Sequence, residues 1–79
     1  MNPIKIIIEQ HEDGFVGYPL GFKAGAIVGQ GETYEEALTD TRSAIDFFIE
    51  HYGTAKFWDG FDHESPLVNA FLTETAVAA

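Results

Sequence analysis

Not one cysteine occurs in this 79-residue chain, and only four side chains are cationic against thirteen carboxylates. Without thiols, disulfide staples and thiolate-bound metals are excluded, and the composition fits a reducing compartment. Long apolar runs are missing too. Runs such as Ile6-Ile7-Ile8 are only a few residues long, against the roughly 20 residues needed to span a bilayer. The opening stretch, Met1 to Lys5, lacks the basic and apolar regions of a secretory leader. A cytoplasmic location is therefore expected.

The cations, Lys5, Lys23, Arg42 and Lys56, are scattered, and the formal net charge is −9. Affinity for nucleic acid comes largely from neutralising phosphates with Lys and Arg. Direct binding to nucleic acid or to an anionic membrane is therefore not expected. A charge of this sign instead speeds encounter with basic proteins. A chain of this length forms one domain, residues 1–79, and buries only about 60–65% of its unfolded surface. Small domains are commonly completed by disulfides, a metal or self-association. A homo-oligomer is expected here.

What is present reads as a sheet followed by a helix. Ile4 to Glu9 is β-branched and predicts a first strand, with Ile4, Ile6 and Ile8 on one face and Ile7 on the other. Asp13-Gly14 signals a hairpin, and Phe15 to Tyr18 predicts the returning strand, stopped by Pro19. A third strand is predicted over 23–30, with Ala24, Ala26 and Val28 facing one way and Ile27 the other. Gly25 and Gly29 within it suggest a bulge or a close backbone approach.

Thr33-Tyr34-Glu35-Glu36 is a capping box and opens a helix over about 33–52, ended by Gly53. Tyr34, Ala37, Leu38, Thr41, Ile45, Phe48 and Tyr52 form its apolar stripe. Glu32, Glu36, Asp40, Ser43, Asp46 and Glu50 form an acidic ridge on the opposite face, with Phe47 beside it as an interface candidate. Residues 56–64 mix aromatics with carboxylates and read as a loop closing one end of the core. A fourth strand is predicted near 68–77 from its alternation and β-favouring residues.

The fold class is thus α+β: an antiparallel sheet of three to four strands with one long helix on one face, in the order β-β-β-α-β. Because Ile4, Ile6 and Ile8 oppose Ile7, Val16 and Ile27, both sheet faces are apolar. A second protomer is expected to cover the face that the helix leaves open.

Residues that carry chemistry are sparse. His11, His51 and His63 have no partner at metal-ligand spacing. Asp59, Asp62 and Glu64 do not follow the spacing of a calcium-binding loop. Gly29-Gln30-Gly31 lacks the lysine of a phosphate cradle and runs directly into Glu32. No nucleophile elbow occurs. The chain is read as a non-enzyme that takes no cofactor or metal.

From Gly29 to Leu38 the sequence resembles the HicB-like antitoxin family. The resemblance rests on Asp13-Gly14, Tyr18-Pro19, Gln30-Gly31-Glu32-Thr33, Glu35-Glu36-Ala37-Leu38 and Ser43-Ala44-Ile45, and covers about residues 4–52. It implies a truncated ribonuclease-H-like fold and a partner that is a small, basic, HicA-like RNA-cleaving toxin. Two features depart from the family pattern. The segment from Pro19 to Gly31 is longer than usual, and the stretch after the helix has Lys56 as its sole basic residue. A stand-alone member without an operator-binding element is the implied reading.

On this reading the partner-binding candidates are Glu36, Asp40, Phe47, Trp58, Asp59, Asp62 and Glu64. The alternative function is a small ligand-binding or regulatory subunit acting as an oligomer. In that case Phe57, Trp58 and Phe61 would line a pocket between protomers.

Overall fold

The computed structural model describes residues 3–61 and 69–78. Three strands are formed: β1 (Ile6–His11), β2 (Gly14–Pro19) and β3 (Gly29–Gly31). They make one antiparallel sheet in the order β1-β2-β3, so β1 and β3 are its edges. The helices α1 (Tyr34–Tyr52) and α2 (Thr54–Asp59) follow. The α+β class and the single long helix are as the sequence predicts.

The hairpin register pairs Ile8 with Gly17 and Ile7 with Tyr18. Partners across a ladder share a face, which puts Ile8 and Gly17 under α1 and Ile7, Val16 and Tyr18 on the far side. β3 brings Gly29 opposite Gly17. A side chain on either glycine would run into Thr41, and at Gly29 it would meet the backbone of the helix itself. Two facing glycines therefore let α1 approach the sheet at backbone distance. Thr41 fills the contact, wholly buried, with its hydroxyl donating to the Ala37 carbonyl at 2.7 Å.

At its start α1 has the anticipated cap. The Glu36 amide donates to Thr33 Oγ1 at 3.1 Å, and Glu36 Oε1 accepts from the Glu32 amide at 2.8 Å. At its end Gly53 adopts a φ of 92°, and its amide closes onto the Ile49 carbonyl at 2.7 Å. Left-handed backbone of this kind admits glycine without steric penalty.

Three expectations are corrected. The third strand covers 29–31 rather than 23–30. Continuing its register would set Pro19 opposite Ile27, and proline has no N–H for the ladder. Upstream, the Lys23 amide donates to the Gly60 carbonyl at 2.6 Å, and Phe22 bridges to Phe61, drawing the segment away from β2. Ile27 is consequently buried with Ile45 and Phe57, against Ile4 and Ile6, and not on the face with Ile7 and Val16.

Residues 54–59 form a helix, so 56–59 are not part of the loop that the sequence suggests over 56–64. A single turn is too short to show periodicity, yet it turns Phe57 and Phe61 toward the same side. Phe22 joins Phe48, Phe57 and Phe61 at ring-centroid distances of 5.3, 5.5 and 5.5 Å, closing one end of the core. The fourth strand does not form over 69–77. Those residues carry no regular secondary structure and are exposed, and position 68 lies outside the described residues. β-favouring residues become a strand only where a neighbour supplies the ladder.

Candidate functional site

The edge formed by segment 24–28 and β3 and the flank of α1 wall two successive hollows, together called the groove. Glu36, Asp40, Ser43 and Phe47 recur at helical spacing and occupy that flank. Along the first half, Gln30, Gly31, Glu35, Glu36, Thr39 and Asp40 line a space of about 660 Å³. Along the second, Val28, Phe47, Tyr52 and Lys56 are among the residues lining about 480 Å³ beside segment 24–28. The groove is therefore acidic at one end and apolar at the other.

Two of the acidic residues also serve the fold. Asp40 Oδ2 accepts the Gln30 amide at 2.9 Å, occupying a donor of the β3 edge. Glu36 holds the turn before the helix, as described above. Both remain exposed, as do Glu35, Asp46 and Glu50. Among the described residues the sole ion pair is His11 with Glu9, at 3.0 Å. The carboxylates of α1 thus face solvent without a lysine or arginine partner.

Of the partner-binding candidates, Glu36, Asp40 and Phe47 share this flank. Phe47 is 60% exposed, and its ring lies 4.1 Å from the His51 imidazole. Trp58 is placed elsewhere. It is half-buried against Phe57 and Phe61, with ring centroids at 5.3 and 5.7 Å. Phe57 is only 2% exposed and belongs to the core, which corrects the notion of Phe57 as a lining residue. Asp59 is exposed at the end of α2. Asp62 and Glu64, together with His63, lie outside the described residues.

A cluster the sequence did not announce sits on the sheet face turned away from α1. The Tyr18 hydroxyl donates to Glu9 Oε2 at 2.6 Å, while His11 Nε2 lies 3.0 Å from Glu9 Oε1. The Tyr18 hydroxyl, with His11 second, holds the Glu9 carboxyl below its ordinary value. The same bond, together with partial burial, pushes the Tyr18 phenol up. The two residues are diagonal neighbours, so only the register reveals them. Lys56, Val28 and Tyr52 were likewise missed, because the groove they share exists only once segment 24–28 and α1 are side by side.

Among the described residues no three His, Asp or Glu side chains gather as a metal site, and no helix is long and apolar enough to cross a membrane. Comparison with protein-family models, with curated proteins and with solved structures finds no match.

Proposed function

We propose that this chain is a cytoplasmic, antitoxin-like binding module that covers the basic face of a small RNA-cleaving toxin of the HicA-like kind. The observation that carries the reading is the α1 surface. Glu35, Glu36, Asp40, Asp46 and Glu50 are all exposed, and among the described residues no lysine or arginine pairs with any of them. A face of this kind attracts the cations of a phosphate-binding surface and competes with RNA for them. The motif order from Asp13-Gly14 to Glu36-Ala37 supports the same reading. No chemistry is required of the module, because occupying the toxin's basic surface is sufficient.

The test is co-expression with a small basic RNA-cleaving toxin of the HicA-like kind. Rescue of growth is expected, together with co-purification that weakens as salt rises. Glu35→Lys combined with Asp46→Lys and Glu50→Lys is expected to abolish rescue while leaving the helical circular dichroism intact. Rescue by this triple variant would overturn the reading, as would a complex indifferent to salt.

A further inference from the structure

The apolar half of the groove lacks an occupant, and the chain carries a segment suited to fill it. Val28, Phe47 and Tyr52 are 54, 60 and 61% exposed around it. Beside them, residues 24–28 make no backbone hydrogen bond among the described residues, although Lys23 before them and β3 after them both do. Among the described residues nothing occupies their amides and carbonyls, which a strand laid alongside could pair.

Residues 69–78 have the complementary deficit. Phe71, Leu72 and Val77 are 89, 96 and 84% exposed. Their segment forms no strand and pairs with no ladder. The radius of gyration is 14.4 Å, above the about 12 Å of a compact chain this long. That excess fits a segment standing off its own domain. Lys56 is the one charged residue lining this half of the groove, and Glu74 is the one charged residue of the segment. A cationic apolar groove does not recruit the basic partner proposed above, and it does accept an apolar strand with a single carboxylate.

We infer that residues 69–78 of one copy lie as an added strand in the groove between segment 24–28 and α1 of a second copy, each copy giving and receiving one segment. Reciprocal exchange makes a closed, two-fold dimer in which both apolar grooves are filled. It buries Phe71 and Val77 against Phe47 and Tyr52, and it supplies ladder partners to two stretches that have none among the described residues. Glu35, Asp46 and Glu50 take no part, so the exchange stands independently of the toxin reading.

The chain's lack of cysteine makes the test direct. Light scattering of the full chain at micromolar concentration is expected to give twice the 8.7 kDa monomer mass. Phe71→Ser with Leu72→Ser is expected to halve that mass while leaving the helical circular dichroism intact, because both side chains lie outside the core. Phe47→Asp is expected to do the same. A Val28→Cys chain mixed with a Thr73→Cys chain is expected to form a heterodimer with a short thiol crosslinker. The inference is overturned by a monomeric wild type, by a dimer that survives both the segment and groove variants, or by a mixture of the two cysteine chains that gives no crosslinked heterodimer.

Discussion

Thr41 shows how much one side chain decides here. It is wholly buried, faces Gly17 and Gly29 across the sheet, and returns its hydroxyl to the Ala37 carbonyl. Overpacking a filled contact typically destabilises by about 1–3 kcal/mol. Gly29→Ala, which pushes a methyl into helix backbone that cannot rotate aside, is expected at or above the upper end. A fall in urea midpoint with an unchanged slope is the readout. Glu9 and Tyr18 are the residues whose titration reports the fold. Glu9 is depressed in the folded state, so its contribution is present above its unfolded value and is lost as pH falls through the folded one. Tyr18 is raised, so its contribution is present below its unfolded value and is lost as pH rises through the folded one. Tyr18→Phe is expected to move the Glu9 titration upward when followed by carboxylate NMR. An unmoved Glu9 would mean that the hydrogen bond is absent in solution.

Among the elements, α1 is locally specified at both ends and α2 is not. Thr33 caps α1 through the Glu36 amide, and Thr33→Ala is expected to cost about 1 kcal/mol in stability. Chemical denaturation followed at the helix band measures this. α2 has no side-chain cap and holds its place through Phe57, which is 2% exposed among Phe22, Phe48, Trp58 and Phe61. Truncating a buried phenylalanine costs about 3–5 kcal/mol. In a domain whose fully buried apolar residues, among those described, are Ile27, Ala37, Ile45 and Phe57, that is a large part of the total. Phe57→Ala is expected to broaden or abolish the cooperative thermal transition, a result that calorimetry would show. The elements also show where legibility stopped. The cap, the helix and the Asp13-Gly14 hairpin are local, so residues next to one another announce them. Ile27-Val28, Phe71, Thr73, Thr75 and Val77 are β-favouring residues, but a strand needs a neighbour, and neither segment 24–28 nor segment 69–78 finds one within its own described chain.

For the whole molecule the dominant quantity is the charge of −9. With one His–Glu contact as the sole ion pair among the described residues, added salt has little attraction to screen and much repulsion. Raising ionic strength until the Debye length falls from about 30 to about 10 Å is expected to raise the melting temperature of the free chain. The same salt is expected to weaken a complex with a basic partner. A thermal scan and a binding titration in matched buffers would check that opposition of signs. A melting temperature that falls with salt would mean that attractive pairs dominate the fold.

By itself the sequence determined whatever depends on near neighbours and on sums. The acidity, the absence of thiol chemistry, the capping box at Thr33, the reach of the helix to Tyr52 and the hairpin at Gly14 are all of that kind. The tertiary structure decided the rest, because it depends on which distant backbones meet. Pro19 and the Lys23–Gly60 bond end the third strand early and send Ile27 into the core. The aromatic segment turns inward to close the core, with Phe57 buried in it. The ridge foreseen on α1 becomes one wall of a groove, acidic beside Gln30 and apolar beside Val28, only when β3 and segment 24–28 lie against it.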